Sequence, residues 1–352
     1  MKILIASILP IEKEIYWSGI NAAIFRQLSK NNDVETCYSP GAHQLQKILS
    51  RISTVSHKLL GKRINVYFNK YVSLLYARTL SRREQEFNPD LLLILGSGTE
   101  LYNYKPKCTC FLVSDANFHL LHNEYSNYTA LSTKNVQRAI NIEKASLEKY
   151  DSIFYTSHWA LESTRQNYPE VSDRLKQINF GSNIAEGAIA AIRLPRTTSE
   201  LSLLTVGLDY HRKGIDKSIL LSQHLNAKLT IVGTDVRYNK EDPEQLALLA
   251  KKYEEAHFFL LFSRADCTPI VINEANSRGL PVIVSKVGGM SSIVKEGING
   301  HMVNGEKEAE MIIKNYMDHP EKYEAFRKSA YNFYRENLTW HKFEKTLLGS
   351  LN

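Results

Sequence analysis

Short, nearly continuous apolar runs recur along the chain: Lys2 to Leu9, Leu91 to Leu95, Cys108 to Val113, Ser152 to Thr156, Leu201 to Val206, Lys228 to Val232, Phe258 to Phe262 and Leu280 to Ser285. Runs of this length without strict alternation predict strands covered on both faces. Asp33 to Tyr38 and Leu175 to Phe180 add two weaker strands. Between them the period lengthens to that of a helix. Ile20, Ile24, Phe25 and Leu28 form one stripe over roughly 20–30, and residues 44–87 read as mostly helical with a break near Gly61. Ser132 to Lys149, Leu246 to Glu255 and the region from Glu306 onward are also helical by period. Trp340, Phe343, Leu347 and Leu348 make a last stripe that needs a large apolar surface to dock on. Strand and helix alternate, which predicts an α/β protein of parallel sheets with helices on both faces.

The 352 residues suffice for two domains. Regular pattern is weakest from Asn183 to Ser199, which holds Gly187, Pro195 and a short Thr/Ser run. This predicts a first domain over 1–183, a linker over 184–200 and a second domain over 201–330.

The strand ends carry the chemistry. After Phe262 comes a polar corner with Asp266, then Thr268-Pro269, which predicts a helix capped by Thr268, opened by Pro269 and stopped near Gly279. Glu274 falls inside that helix. After Val206 comes GLDYHRKG, where Arg212 and Lys213 can hold phosphate, Arg through its planar fork and Lys as a point charge. Gly19 precedes the first helix and permits close backbone approach. Asp115, His119 and His122 follow the strand that ends at Val113. Plainer roles compete: Asp115 and Asp266 as helix caps, Glu274 and the histidines as solvated side chains, Arg212 and Lys213 as exposed loop residues. No GxGxxG follows the first strand and no GxxxxGK[ST] occurs, so neither common nucleotide signature is present.

Composition narrows the setting. Apolar content of 43% and charged content of 23% are those of a soluble globular chain. No apolar run approaches the ~18 residues of a membrane span. MKILIASILP reads as a buried strand rather than a signal peptide, because Glu12 and Glu14 follow at once. Cys37, Cys108, Cys110 and Cys267 show no metal-type pairing and read as reduced thiols, hence a cytoplasmic location. The net charge of +7 is uneven: residues 1–185 hold 22 Lys/Arg against 16 Asp/Glu, and residues 186–352 hold 22 against 21. Lys47, Arg51, Lys58, Lys62, Arg63, Lys70, Arg78, Arg82 and Arg83 fall between 41 and 83 with no acidic residue among them. This is a solvated helical face or a patch for an anionic partner, such as the inner face of a membrane or a phosphate-bearing acceptor. Nucleic acid fits less well: Tyr67, Phe68, Tyr71 and Tyr76 are spaced as a buried helix stripe, not as a stacking platform.

Taken together, these motifs resemble glycosyltransferase family 4, the group 1 retaining enzymes of the GT-B fold. The resemblance is strongest over Leu203 to Val303. There Asp266 and Glu274 make a D-x7-E element in place of the family's E-x7-E, and VGLDYHRKG resembles its glycine–basic loop. The first half matches more loosely, through SGI and EKASLEKYDSIFYTSHWALEST. The resemblance implies two Rossmann-like domains facing a cleft, the acceptor on the first and a nucleotide-sugar donor on the second. It also implies that 331–352 forms a C-terminal helix returning to the first domain. Glu274 would take the ribose, Asp266 the sugar ring, and the backbone of Cys267, Thr268, Pro269 and Ile270 the diphosphate and sugar. Lys213 and Arg212 would neutralise the leaving group, and Gly19 would border the donor. The implied reaction is sugar transfer to an acceptor hydroxyl with retention, without metal, in the synthesis of cell-surface glycan, polysaccharide or glycolipid. Two positions depart from the pattern: Leu208 stands where relatives carry Arg, and Ser114-Asp115 stands where they carry His, which leaves Asp115 or His119 for that role. These gaps keep open a non-catalytic nucleotide-sugar-binding subunit; a nucleotide-sugar epimerase on the same fold is the other alternative.

Overall fold

The computed structural model describes residues 1–14, 16–184, 187, 189, 194–234, 238, 239 and 241–351. The chain divides into two compact units, Met1–Ile178 with Thr346–Asn352, and Asn179–Lys345. The expected linker, 184–200, includes 185, 186, 188 and 190–193, which lie outside the described residues.

The first unit runs β1 (Lys2–Ser7), α1 (Ile20–Leu28), β2 (Asp33–Tyr38), α2 (Pro40–Leu60), α3 (Lys70–Phe87), β3 (Leu91–Leu95), β4 (Thr109–Ser114), α4 (Phe118–Glu124), α5 (Thr133–Leu147), β5 (Ser152–Tyr155), α6 (His158–Asn167) and β6 (Leu175–Gln177). Its sheet is parallel, in the order β2-β1-β3-β4-β5-β6. Ile3 through Ala6 and Leu91 through Ile94 are fully buried. Neither face of these strands meets water, which is why their sequences show no alternation. The turn between α2 and α3 falls where expected: Gly61 takes the left-handed conformation, with φ 65°, and closes α2. Asn69 then caps α3 by accepting from the backbone N–H of Tyr71 at 2.9 Å.

That cap corrects the aromatic stripe expected over 67–76. Tyr67 and Phe68 lie ahead of the helix, and Phe68 packs edge-on against Phe118. Tyr76 is fully buried, whereas Tyr71 is 60% exposed. The restart at Asn69 sets a new phase, so the four rings do not share a face.

The second unit runs β7 (Ser202–Val206), α7 (Ile215–Leu225), β8 (Lys228–Val232), α8 (Pro243–Glu255), β9 (Phe258–Leu261), α9 (Ile270–Asn276), β10 (Val282–Ser285), α10 (Met290–Ile293), β11 (Gly300–Val303), α11 (Glu306–Asp318), α12 (Pro320–Asn337) and α13 (Trp340–Leu348). Thr346 and later residues of α13 belong to the first unit. The sheet is again parallel, ordered β11-β10-β9-β7-β8. Phe258–Leu261 of the central β9 is fully buried. The start of α13 is anchored within this unit: the Trp340 indole N–H donates to Ser182 O at 2.8 Å, and Phe343 packs near the Phe180 ring.

Among the described residues no helix is long and apolar enough to cross a membrane. The four cysteines are free. Burial pushes the Cys37 thiol up to about 11 and the Cys108 thiol up to about 12, so both stay protonated at neutral pH.

Candidate functional site

In the second unit, glycines bring the strand-end loops together. The loop after β7 ends at Gly214, with φ 64°; a Cβ there would lie 2.0 Å from Phe262 O. Only glycine lets this loop rest on the end of β9. The Arg264 N–H then donates to Arg212 O at 2.7 Å, which stitches the two loops. Gly288, after β10, has φ 51°, and a Cβ there would sit 1.8 Å from Asp266 O. The neighbouring Gly289 N–H donates to that same oxygen at 3.3 Å. The Asp266 backbone is thus clamped from β10, while its side chain faces the β7 loop.

The result is a charged cluster. Lys213 Nζ donates to Asp266 Oδ2 at 2.6 Å, and Ser263 Oγ donates to the same atom at 2.9 Å. Arg212 Nη1 stands 3.7 Å from that oxygen and donates to Ala265 O at 3.1 Å. The Lys213 and Asp266 side chains are only 13% and 9% exposed. Partial burial strips water from both charges, so each depends on the other. At the rim Arg264 grips Asp216 with two bonds, of 2.9 and 2.6 Å, and holds its carboxyl below the usual range.

The α9 helix departs from expectation. Thr268 is not its cap and Pro269 is not its first residue. Pro269, with ψ 114°, is still extended and occupies the cap position, without a side-chain cap bond, and the helix begins at Ile270. The clamp on Asp266 holds the preceding loop extended for longer than cap propensities alone suggest. Every residue of α9 is buried. Glu274 is fully enclosed, and its Oε2 accepts the Tyr253 hydroxyl at 2.7 Å. The D-x7-E spacing therefore puts Asp266 at a loop corner and Glu274 in the interior, so Glu274 is not a solvated side chain. Leu208 is 73% exposed.

The first unit gathers a different set. Gly19 caps α1 with φ 83°, directly after Trp17 and Ser18, both also left-handed, with φ 47° and 57°. The Trp17 indole N–H donates to Asp115 Oδ2 at 2.9 Å, so the loop after β1 meets the loop after β4. Asp115 is not the cap of α4. That role falls to Asn117, whose Oδ1 accepts the Leu120 N–H at 3.0 Å. His119 is half-buried, edge-on to the Tyr168 ring; burial, then His122, holds its imidazole below the ordinary value. Glu143 lies beneath α4. Its two oxygens accept the Phe118 N–H at 2.9 and 3.0 Å, and Oε2 also accepts the Tyr168 hydroxyl. Burial pushes its carboxyl up to about 8. Glu100, after β3, is likewise buried and pushed up to about 7, with Oε2 unpartnered.

Five of these residues escaped sequence reasoning: Trp17, Glu100, Glu143, Tyr253 and Ser263. A signal existed for Glu143, which shares the inner stripe of α5 with Ala139 and Ser146. Among the described residues no group of three or more His, Cys, Asp or Glu could hold a metal ion.

The predicted donor residues Arg212, Lys213 and Asp266 come together within one unit, with Cys267, Thr268, Pro269 and Ile270 on the loop that follows. Gly19 and Asp115 come together, through Trp17, within the other. Comparison with known proteins places these features. Residues 188–316 match the family model for glycosyl transferases group 1. Over 101 residues the chain is 33% identical to D-inositol 3-phosphate glycosyltransferase 1 of Catenulispora acidiphila, a match covering 28% of this chain and 24% of that protein. Over 200 residues it is 32% identical to an uncharacterized glycosyltransferase of Methanocaldococcus jannaschii, covering 48% of this chain and 47% of the relative. The chain thus spans between a quarter and half of the length of these curated relatives. Among solved structures, sucrose-phosphate synthase from Thermosynechococcus elongatus superposes with a TM-score of 0.69 at 17% identity, over 99% of this chain and 98% of that one. WaaG, a glycosyltransferase involved in lipopolysaccharide biosynthesis, gives 0.63 at 13% identity over 98% of each chain. Anabaena HepE in complex with UDP and glucose gives 0.62 at 14%, over 100% and 99%. The whole chain therefore has the GT-B fold, and its residues 188–316 are similar to group 1 glycosyl transferases.

Proposed function

We propose that the protein is a retaining glycosyltransferase that moves a sugar from a nucleotide-sugar donor to an acceptor hydroxyl, in the synthesis of a glycan or glycolipid. The observation that carries this reading is the Lys213–Asp266 pair, held at 2.6 Å inside the segment that matches the group 1 family. A donor diphosphate is a stronger partner for Lys213 and Arg212 than one carboxylate. Its arrival transfers the ammonium to phosphate and frees Asp266 for the sugar hydroxyls. Charge then stands ready where the leaving group develops it, before the bond breaks. The backbone from Cys267 to Ile270 borders the sugar and diphosphate. A ribose contact by Glu274 requires local opening at α9, since that carboxylate is enclosed. The structure of Anabaena HepE with UDP-glucose, on the same fold, supports a nucleotide sugar as donor class. On the first unit, Asp115 and His119 face the acceptor, and Gly19 lets backbone approach the donor. No step of this reading uses a metal.

Thermal shifts with UDP, GDP, ADP, TDP and CDP test the donor assignment. A ligand at about 100 times its dissociation constant raises stability by about 2.7 kcal/mol. A shift with one base is expected, smaller in Lys213→Ala and in Glu274→Gln. Silence with all five overturns the donor assignment. Binding without nucleotide release in any acceptor mixture overturns catalysis, and a changed sugar without acceptor would identify an epimerase instead.

A further inference from the structure

Helix α2 carries a feature that the sheet-end chemistry does not use. Its inner side is fixed by Ala42 and by Leu45 and Leu49, which pack on the first unit's core. Its outer side carries an aliphatic row as well as polar residues. Ile48, Ile52, Val55 and Leu59 are 46, 50, 55 and 76% exposed. Their spacing of four, three and four residues sets them in one row, roughly 17 Å long at the helical rise. Beside this row, about a quarter turn round the helix, stand Lys47, Arg51 and Lys58, all exposed. None of these three has a carboxylate partner among the described residues, and residues 41–83 contain no acidic side chain at all.

Single exposed aliphatic residues are ordinary. A continuous aliphatic row bordered by an unneutralised basic band is not, because water cannot bind the row and a bare anion, which pairs with the band, cannot cover it. The lipid–water interface satisfies both at once: acyl chains lie just beneath a layer of phosphate. Single-stranded nucleic acid would meet the charge but finds no ring to stack on along this row. A second copy of the chain would cover the apolar row but bring two basic bands together.

We propose that α2 docks in the headgroup layer of an anionic membrane, with Ile48, Ile52, Val55 and Leu59 in the acyl boundary and Lys47, Arg51 and Lys58 among the phosphates. The inference does not depend on the donor reading, because it concerns a different face and needs no turnover.

Flotation of the full chain with lipid vesicles tests it. Binding is expected to vesicles of phosphatidylcholine with about 30% phosphatidylglycerol, and to be much weaker with phosphatidylcholine alone. Raising the salt severalfold is expected to release most of the protein. Each basic residue contributes about fivefold to partitioning, so Lys47→Gln/Arg51→Gln/Lys58→Gln is expected to weaken binding about a hundredfold. Ile52→Ser/Leu59→Ser leaves the charge unchanged and is expected to weaken it as well. These side chains are exposed, so circular dichroism should show intact folding in both variants. Absence of binding by the unaltered chain overturns the proposal, as does equal binding to neutral vesicles. Full binding by folded variants, or lipid-free self-association abolished by Ile52→Ser/Leu59→Ser, overturns it too.

Discussion

The two units hold acids near the ends of similar parallel sheets with different partners, Glu274 excepted, which like Glu143 is buried against a tyrosine hydroxyl. In the second, Asp266 is met by a lysine, an arginine and a hydroxyl, and Asp216 by an arginine fork. In the first, Glu143 is met by a backbone N–H and a tyrosine hydroxyl, and Glu100 keeps one oxygen without a partner. Neutral donors offset less of the cost of burying a charge, so the first unit's carboxyls hold their protons to about 7 and about 8. In the second unit the Arg264 fork holds the Asp216 carboxyl below its usual range. A cluster of paired charges suits a charged ligand, which can substitute for one member.

The largest expected effect breaks the second arrangement. Lys213→Ala leaves Asp266 nearly buried without its ammonium and should destabilise the second unit by about 3 kcal/mol, with Arg212 and Ser263 recovering part. Urea unfolding followed at Trp340 in a Trp17→Phe/Trp159→Phe background would measure it. A loss below about 0.5 kcal/mol would mean that the pair behaves as an ordinary surface bridge.

Next comes pH. Glu100 and Glu143 have folded pKa values raised above those of the unfolded chain. Their contribution to stability is therefore fully present below about pH 4 and lost as pH rises through about 7 and 8. The first unit should lose on the order of a few kcal/mol between pH 5 and 9 from these groups. Glu100→Gln/Glu143→Gln should flatten that slope and cost stability mainly at the acid end. Trp340→Phe leaves Trp17 and Trp159 as fluorescent probes of this unit alone. An unchanged slope in the double variant would remove the contrast drawn between the units.

The smallest effect is at Trp17→Phe, which deletes the indole donor to Asp115 and should cost about 1–2 kcal/mol. Hydrogen exchange in the loops after β1 and β4 should rise together. A rise in only one would show that the bond does not tie them.

Much of the fold was legible, for identifiable reasons. Fully buried parallel strands leave uninterrupted apolar runs, and Gly61 marks its break because the left-handed cap there favours glycine. The meeting of the Arg212–Lys213 loop with Asp266 was legible as far as both follow parallel strands, whose ends share one edge of the sheet. What was not legible is set by distant contacts. The start of α9 depends on Gly288 and Gly289 pressing on Asp266 O, a contact across more than twenty residues that no local pattern encodes. Tyr253 and Glu274 lie on separate helices and meet only after folding. Glu143 read as one charge among many on an alternating helix, although its phase pointed inward.

Trp17 and Ser18 hold a backbone conformation that costs L-residues roughly 1–2 kcal/mol each. Replacing Ser18 with glycine, or with a D-amino acid by chemical ligation, should lift melting temperature without touching the core. The turn at the mouth of the first sheet therefore stores strain that either substitution releases, while the Trp17 indole stays tied to Asp115.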